Sequence, residues 1–256
     1  MRIVTWNVNS LKVRLGQVEQ LITDFGPEII CLQETKIEDK NFPVENLANL
    51  GYKAYFFGQK TYNGVAILSK DDIVDVQFGI AGYEDSQARV ISGTTQNGIR
   101  LINVYVPNGQ SVDSDKYLYK LDWLKHLTHY VKDQMQIFDH LVMVGDFNIA
   151  PKNEDVYSVD KFEGQVLFTE EEKKHLGNIL SLGLVDTLDS RLSTSDRFTW
   201  WDYRMNSYVR GLGLRIDHIF VSRASVEGLQ DARILTDFRE LERPSDHAPV
   251  YIDLTV

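Results

Sequence analysis

Short apolar runs recur along the whole chain, and this recurrence limits the possible folds more than any other feature of the sequence. They are rich in Val, Ile and aromatic residues and are bounded by Gly, Asn, Asp or Ser, as β-strands usually are. The runs cover residues 3–6, 29–32, 52–57, 65–68, 88–91, 99–106, 141–144, 216–221 and 249–254. The chain is therefore expected to be built largely on β-sheet.

Helical periodicity is confined to a few longer segments. The patterns predict helices over residues 13–25, 115–138 and 170–182. The second is expected to bury a stripe that includes Leu118 and Leu121, and the third begins with Thr169 and Glu172 at capping-box spacing. Helices covering the faces of paired sheets would suit this mixture. The expected fold class is therefore α/β and layered, although periodicity does not decide between one sheet and two.

Composition narrows the class of protein. With 256 residues, 43% of them hydrophobic and 25% charged, the chain is ordinary for a globular enzyme. We expect a single catalytic domain over residues 1–256, because no linker or low-complexity segment divides the chain. No apolar stretch approaches the roughly 20 residues of a membrane helix, and the N-terminal segment lacks the regions of a signal peptide. The one cysteine, Cys31, cannot form an internal disulfide, so a cytoplasmic protein without a membrane partner is the simplest expectation.

Polar side chains stand at the ends of several predicted strands, where loops bring side chains from different strands into one cleft. They are Asn7, Glu34, Asp146, Asn148, Asp217, Asp246 and His247. A buried carboxylate is costly unless it is paired or binds a metal, so this set predicts either a metal site or a network of salt bridges. The net charge of −10 argues against nucleic-acid binding through an overall positive field, but it allows an acidic metal site beside a local basic rim.

Glu34 and Asn7 would suit a hard divalent cation. Mg²⁺ keeps several waters and needs only one or two carboxylates, so these two side chains could supply its protein ligands. Both residues also have structural alternatives. Glu34 could pair with Lys36 on a loop, and Asn7 could hold its own backbone in a turn.

Asp146 and Asn148 are two positions apart, which places both side chains on one side of an extended strand. A carboxylate can orient or deprotonate a water while an amide holds that water or steadies developing charge; the alternative is a turn closed by an Asx-type bond. His247 needs an acid to orient its ring, and Asp217 is the candidate, since the side chain of the adjacent Asp246 diverges. An imidazolium there would donate a charged hydrogen bond to a phosphate, unless the histidine is structural.

Short motifs containing these residues occur in a fixed order. They are TWNVN at 5–9, LQETK at 32–36, NVYVPNG at 103–109, GDFNIA at 145–150, WDYR at 201–204, GLRID at 213–217 and SDH at 245–247. Together they resemble the exonuclease III family of DNA-repair nucleases, within the endonuclease/exonuclease/phosphatase superfamily. Each motif alone would be weak evidence, but the ordered set covers nearly the whole chain.

The resemblance implies a four-layer sandwich in which two facing mixed sheets are flanked by helices. It implies a hydrolase that depends on Mg²⁺ or Mn²⁺ and cleaves phosphodiesters of duplex DNA. We expect the protein to act as a monomer. The implied activities are 3′–5′ exonuclease, abasic-site endonuclease and 3′-end trimming. The phosphate ester would be bound at one edge of the sandwich.

The resemblance also implies roles for individual residues. Glu34 would be the main metal ligand, and the other residues facing the metal would be Asn7, Asp146, Asn148, Asp246 and His247. Asp146 would activate the attacking water and Asn148 would hold that water or the phosphate. Tyr105 would contact the phosphate or help the leaving group. His247, oriented by Asp217, would bond a non-bridging oxygen.

Local groups would make the contacts with DNA. The candidates are Lys60, Arg89, Arg204, Arg210 and Arg215, for each of which the alternative is a solvated surface charge. Trp201 belongs to an aromatic cluster beside Arg204, and its ring is expected to pack against an extruded or terminal sugar unless it is part of the core.

Two segments depart from the family pattern and leave the substrate open. Residues 206–212 do not match the usual loop, and Leu167 and Phe168 lie where the family shapes a pocket for an abasic sugar. A narrowed pocket would favour trimming of 3′ ends over incision at abasic sites. The alternatives are a phosphatase or phosphodiesterase of the superfamily that acts on a non-DNA phosphate ester, such as an inositol lipid or sphingomyelin, and a binding module without catalysis. The WDYR and YVPNG segments argue against the first, and the unsubstituted catalytic positions argue against the second.

Overall fold

The computed structural model describes residues 1–189 and 196–255. The strands are β1 (Arg2–Asn7), β2 (Ile29–Gln33), β3 (Lys53–Phe57), β4 (Val65–Ser69), β5 (Ile73–Phe78), β6 (Val90–Thr95), β7 (Arg100–Tyr105), β8 (Leu141–Asp146), β9 (Leu184–Asp186), β10 (Trp200–Trp201), β11 (Gly213–Leu214), β12 (Asp217–Ser222), β13 (Leu229–Ile234) and β14 (Val250–Leu254).

The α-helices are α1 (Leu11–Phe25), α2 (Val44–Asn49), α3 (Asp115–Ile137), α4 (Val159–Phe162) and α5 (Glu170–Ser181). Short 3₁₀ helices cover Asp39–Asn41, Asn153–Asp155, Arg204–Asn206, Arg223–Gly228 and Thr236–Glu240. In the part of the chain that the structure describes, no helix combines the length and apolar character needed to cross a bilayer.

The strands form two six-stranded sheets and one two-stranded ribbon. The first sheet has the order β13-β14-β1-β2-β4-β3, the second has the order β5-β6-β7-β8-β12-β9, and β10 pairs with β11. Each large sheet is mixed, because β1–β2 and β7–β8 are parallel pairs while the other neighbours are antiparallel. The expected α/β sandwich of two mixed sheets is confirmed.

Apolar side chains hold these layers together. Ile3, Cys31 and Leu101 belong to the cluster between the two sheets. A second cluster packs α1 and α2 on the outer face of the first sheet, and a third packs α3 and α5 on the outer face of the second sheet. The order of layers is therefore helix, sheet, sheet, helix, in agreement with the four-layer expectation.

The inward-facing positions of the central strands change from apolar to polar at one edge of the sandwich. In β8, Val142 and Val144 face the inter-sheet core, and Asp146 occupies the next position on that side. The same alternation leads from Ile3 to Asn7 in β1. Because β7 and β8 are parallel and β12 runs antiparallel to β8, Tyr105 and Asp217 both lie opposite Asp146 in register. The sheet pairing alone thus gathers polar side chains at this edge.

The predicted elements are mostly present, and the predicted α3 stripe is buried from Leu124 to Val131. Its first turns are wrong, because Leu118 is 64% exposed while Tyr117 and Lys120 are buried. A lysine in the first turns concealed which face is buried there. The capping box of Thr169 with Glu172 is confirmed at the start of α5.

The strands that the patterns missed include β5, β9 and β13, all at sheet edges. An edge strand exposes much of its surface, so its apolar pattern is weak. In β13, Asp231 and Arg233 interrupt the run, and in β5 Asp75 has a positive φ of 50° beside a register shift. Helices α2 and α4 were also missed because they are too short to show periodicity.

Gly145 allows β8 to approach β7 at the polar edge. Its φ is 144°, and a Cβ added there would lie 1.9 Å from the carbonyl oxygen of Val104. We expect Gly145→Ala to lower the free energy of unfolding by roughly 1–3 kcal/mol, the usual cost of overpacking, measured by urea denaturation. Gly177→Ala is the matched control: this position on α5 has open space around it, so the variant should be more stable by about 0.5–1 kcal/mol. Equal stability of the two variants would contradict the close approach.

Candidate active site

Asn7 bridges two carboxylates at the end of β1. Its side chain is fully buried, and its Nδ2 donates to Oε1 of Glu34 at 3.0 Å and to Oδ2 of Asp146 at 2.9 Å. Its Oδ1 accepts the backbone N–H of Asn9 at 3.0 Å, which fixes the orientation of the amide. Because an amide carries no charge, Asn7 holds the carboxylates near each other without neutralising them.

Glu34 follows β2 in a left-handed conformation with φ of 49°. Its Oε2 contacts Nζ of Lys36 at 2.8 Å, so the ion pair considered as the structural alternative is present. That contact involves one oxygen only, while Oε1 faces Asn7. Glu34 therefore has both a structural partner and a place in the acidic cluster.

Asp146 is 1% exposed at the end of β8. Its Oδ1 accepts the backbone N–H of Asn148 at 2.9 Å. Burial raises the pKa of Asp146 to about 7, since the loss of hydration and the nearby carboxylates of Asp217 and Glu34 outweigh the opposing effect of His247. A carboxyl with this pKa can exchange a proton near neutral pH.

Asp217 orients the ring of His247, as the sequence predicted for this pair. Nδ1 of His247 lies 2.8 Å from Oδ2 and 3.1 Å from Oδ1 of Asp217, so it donates to that carboxylate, and Nε2 lies 3.7 Å from Oδ2 of Asp146. Burial alone would lower the pKa of His247, but the carboxylates of Asp217 and Asp146 raise it to about 10. The ring is therefore an imidazolium whose Nε2–H faces the acidic cluster.

Asp246 is held by groups on the other side of His247. Its Oδ2 accepts from Nε1 of Trp200 and its Oδ1 from Nδ2 of Asn9, both at 2.9 Å. Burial by itself would raise the pKa of Asp246, but His247 and these two donors hold the pKa below its usual range. The carboxylate stays ionised, although its bonds direct it towards Trp200 and Asn9.

The carboxylates of Glu34 and Asp146 could hold a cation together, with the protonated ring of His247 beside them. One side-chain oxygen or nitrogen of each of these three residues lies within 4.8 Å of the other two, among the residues that the structure describes. Carboxylate oxygens suit a hard cation such as Mg²⁺, and Lys36 pairs with one oxygen of Glu34 only. These residues therefore fit a divalent metal.

Asn148 lies beside this cluster but already has partners. It has a positive φ of 50°, its Nδ2 donates to the carbonyl oxygen of Val106 at 3.0 Å, and its Oδ1 accepts from Nδ2 of Asn108 at 3.1 Å. Its amide is thus oriented by Asn108 and Val106, and an amide oxygen can accept a second bond.

Tyr105 ends β7 beside the acidic cluster. Burial and the charges of Glu34 and Asp146 raise the pKa of Tyr105 well above its usual value. The phenol therefore keeps its proton and acts as a donor. The guanidinium of Arg89 lies 4.8 Å from the centre of the Tyr105 ring, and its Nε and Nη2 donate to Oε1 of Gln87 at 3.1 and 2.7 Å.

A groove of about 1100 Å³ opens beside Tyr105. Arg89, Lys116 and Arg204 contribute cationic side chains to its lining. Lys60 is exposed in an adjacent groove that Lys12 and Lys36 also line, and Arg210 is exposed after the 3₁₀ turn at Arg204–Asn206. Arg89, Lys116 and Arg204 thus give the groove beside Tyr105 a locally basic lining, together with Asp202.

Two expected DNA contacts need correction. Trp201 is 5% exposed and packs edge-to-face against Tyr208 with ring centres 5.1 Å apart, so its ring lies in the interior. The neighbouring Trp200 is partly exposed and bonds Asp246. Arg215 is fully buried, where its guanidinium bonds Asp155 and Asp186, and it offers no charge to a ligand.

Sequence reasoning missed several groups that shape the site. Oγ1 of Thr199 accepts the backbone N–H groups of Ile216 and Asp217, both at 3.1 Å, and so fixes the start of β12. Asn108 was visible only as a member of a motif, although its amide orients Asn148. The role of Trp200 carried no signal, because alternation distinguishes it from Trp201 without telling which ring faces inwards.

Comparisons with known proteins agree with this geometry. The sequence model of the Endonuclease/Exonuclease/phosphatase family matches residues 4–247. The exodeoxyribonuclease III of Haemophilus influenzae is 34% identical over 265 residues, which cover 99% of each chain. A structure of a 3′ phosphatase from Neisseria bound to a product DNA hairpin has 45% identity and a TM-score of 0.97, and an AP endonuclease from Archaeoglobus fulgidus has 38% identity and a TM-score of 0.96. Both cover 100% of each chain. The resemblance drawn from the ordered motifs is confirmed.

Asp217 should make stability depend on pH through His247. A folded-state pKa near 10, against about 6.5 in the unfolded chain, stabilises the fold fully below pH 6.5, and this contribution is lost as pH rises through about 10. In Asp217→Asn the pKa of His247 should fall, because burial then dominates. With EDTA present, we expect the stability difference between the native chain and the variant to be largest at pH 6 and to shrink by pH 10 in urea titrations. A difference that stays constant with pH would contradict the ionised pair.

Proposed function

Because the chain belongs to the Endonuclease/Exonuclease/phosphatase family, we propose that it is a metal-dependent DNA-repair nuclease that hydrolyses phosphodiesters at the 3′ ends of duplex DNA. The observation that carries this proposal is the joining of Glu34, Asp146 and the Asp217–His247 pair at one edge of the sandwich, beside a groove with a basic rim. Relatives named as an exodeoxyribonuclease, a 3′ phosphatase and an AP endonuclease support the same class of substrate.

Glu34 would hold the metal, with Asp146 beside it and Asn7 keeping the two carboxylates in place. We propose Mg²⁺, or Mn²⁺ in its place, because carboxylate and amide oxygens are the ligands these ions prefer. When bound, such an ion neutralises the phosphate and stabilises the developing charge of the leaving oxygen. Asn148 and Asp246 lie next to these ligands, with their side chains bonded to Asn108 and to Trp200.

Asp146 would orient the attacking water and accept its proton. Its raised pKa of about 7 makes the carboxylate basic enough for this transfer near neutral pH. Asn148, fixed by its backbone bond to Asp146, would hold the water or the phosphate from the same side. The two side chains therefore define one direction of approach for the nucleophile.

His247 and Tyr105 would bind the phosphate as donors. The imidazolium of His247 offers a charged N–H towards the cluster, and Asp217 keeps it from turning away. Tyr105 keeps its proton at neutral pH and can donate to a phosphate oxygen or to the leaving oxygen. Arg89 over the ring adds positive charge on the side of the groove.

We propose 3′ ends as the preferred substrate because of the apolar cluster around Leu167. Leu167 is 8% exposed within an apolar cluster that includes Leu214 and Ile216, with Trp200 packed against it. Its φ of 78° is strained for leucine, which indicates that the surroundings impose the position. A side chain that fills this space would limit entry of an extruded abasic sugar more than entry of a terminal phosphate.

Abasic-site incision is the second candidate. It is favoured by the full-length likeness to the Archaeoglobus AP endonuclease at 38% identity. The arrangement of Asp146, Asn148 and His247 would serve both reactions, so the choice depends on how the substrate fits beside Leu167. Both reactions break a P–O bond of a DNA phosphate ester and would use the same metal.

The remaining parts of the proposal concern the whole chain. We propose that residues 1–256 act as one catalytic domain and as a monomer, since both sheets contribute site residues of the same chain. A cytoplasmic location fits a DNA substrate and a single cysteine that is buried and unpaired.

Asp146→Asn should keep the fold and lose most turnover. The amide cannot accept a proton, so we expect kcat to fall about 10²–10⁴-fold on a labelled duplex with a 3′-phosphate or a recessed 3′ end. The thermal unfolding midpoint should stay close to the native one or rise, because a buried carboxyl with a raised pKa is removed. EDTA should abolish activity of the native chain, and added Mg²⁺ should restore it. Near-native turnover of the variant, or activity in EDTA, would rule out these roles.

Leu167→Gly should shift the preference between the two candidate substrates. Glycine accepts the positive φ and empties the space beside Trp200, so the ratio of abasic incision to 3′-phosphate removal should rise roughly tenfold or more. Leu47→Ala, which truncates a fully buried leucine of α2, is the matched control; it should lose about 2–5 kcal/mol of stability without changing the ratio. An unchanged ratio in Leu167→Gly would show that this wall does not select the substrate.

A further inference from the structure

A buried ammonium group lies directly behind the Asn148 loop. Lys120, on α3, has no exposure to solvent. Its Nζ donates to the main-chain oxygen of Asn148 at 2.7 Å and to that of Asn108 at 3.1 Å, and it forms an ion pair with Oε1 of Glu172. All three partners are acceptors, and an ammonium has three N–H donors. The group is therefore fully bonded; burial lowers the pKa of Lys120, and the carboxylate of Glu172 opposes that shift.

Stability alone does not account for this pair. A buried ion pair usually contributes no more to stability than apolar residues of the same volume would. The neighbours of Lys120 on the buried stripe of α3, such as Trp123 and Leu124, are apolar and could have continued the core. What the ammonium provides, and an apolar side chain cannot, is two directed bonds to loop carbonyls.

Those two carbonyls belong to residues whose side chains bond each other. Nδ2 of Asn108 donates to Oδ1 of Asn148, while Lys120 holds the backbone oxygens of both residues. Asn108 follows β7 and Asn148 follows β8, so one cation joins the loops of two parallel strands. Asn148 also has a left-handed backbone, which other contacts must maintain.

The partner of Lys120 is itself fixed. Oε1 of Glu172 accepts the backbone N–H of Leu167 at 3.0 Å, and Oε2 accepts the N–H and the hydroxyl of Thr169 at 2.9 and 2.8 Å. The carboxylate is the acidic member of the α5 capping box. Lys120 thereby connects the Asn148 loop to a rigid helix end and to the segment that carries Leu167.

We propose that Lys120 is a positioning residue for phosphodiester hydrolysis: its ammonium fixes the Asn108 and Asn148 loops so that the Asn148 amide faces the reacting centre beside Asp146. The inference rests on the proposed function and extends it to a residue that touches neither substrate nor metal. Lys120 acts on the rate through Asn148, and it should leave substrate affinity nearly unchanged.

A double-mutant cycle tests this inference. Lys120→Met combined with Glu172→Gln removes the ammonium without leaving a buried unpaired charge. We expect this pair of changes to lower kcat about 10- to 100-fold on a duplex with a recessed 3′ end, with KM within about threefold of native. In an Asn148→Ala background, the same two changes should lower kcat less than about twofold, because the amide that Lys120 positions is already absent.

Arg100→Met is the matched control. Arg100 is a buried cation on β7 that bonds Gln134 and the main-chain oxygen of Asp75, away from the site. It should lose stability while keeping kcat, so a general effect of lost stability is separated from positioning.

If Lys120→Met with Glu172→Gln does not fold, Lys120→Arg is the second test. It keeps a cation for Glu172 but directs its planar donors differently, and it should also lower kcat.

The outcomes separate the two proposals. Loss of rate that is additive with Asn148→Ala, or native kcat in both Lys120 variants, would overturn the positioning role while leaving the nuclease intact. A native chain without phosphodiesterase activity in Mg²⁺ or Mn²⁺ would overturn the proposed function instead. In that case the NMR resonances of the Asn148 side-chain amide still decide the inference: they should shift in the Lys120 variants but not in Arg100→Met, and unchanged resonances in all variants would refute it.

Discussion

Two carboxylates, Glu34 and Asp146, are held side by side by the neutral amide of Asn7, and the rest of the site depends on this contact. The amide donates to both acids and cancels neither charge. The cluster therefore carries negative charge, which Lys36 and the imidazolium of His247 partly offset from its sides. Such an arrangement is costly in isolation and suits a chain that gains a divalent cation and an anionic ester at the same place.

The fold supplies this arrangement through the same alternation that builds its core. Inward positions of β1, β8 and β12 carry Ile or Val in the core between the sheets and then Asn7, Asp146 and Asp217 at one edge. Behind the edge, Gln33 donates to Asn103 and Thr5, which gives a buried polar layer between the apolar core and the site. The site residues therefore stand on strands whose register the core fixes, and short loops add Asn148 and His247.

Sequence reasoning predicted the features that follow from periodic patterns. It missed the features that depend on tertiary contacts. The central strands, the long helices and the polar strand ends follow from periodicity, and the pairing of His247 with Asp217 follows from the need of a histidine for an acid. The burial of Trp201 does not follow from the sequence, because alternation alone does not tell which face of the strand points inwards. Arg215 was misjudged because a buried arginine paired with Asp155 looks like any other arginine in a sequence. Lys120 went unnoticed because two of its partners, Asn148 and Glu172, lie 28 and 52 residues further along the chain.

The central claim is that the Asn7-bridged carboxylates form a cation site, and a direct metal titration measures it. Mn²⁺ binding, followed by calorimetry or by electron paramagnetic resonance, should be detectable in the native chain and at least about tenfold weaker in Glu34→Gln, which keeps the shape of the side chain but loses its charge. Lys36→Met, which removes the competing ammonium, should bind as tightly as the native chain or more tightly. Equal Mn²⁺ affinity in the native chain and in Glu34→Gln would contradict the claim.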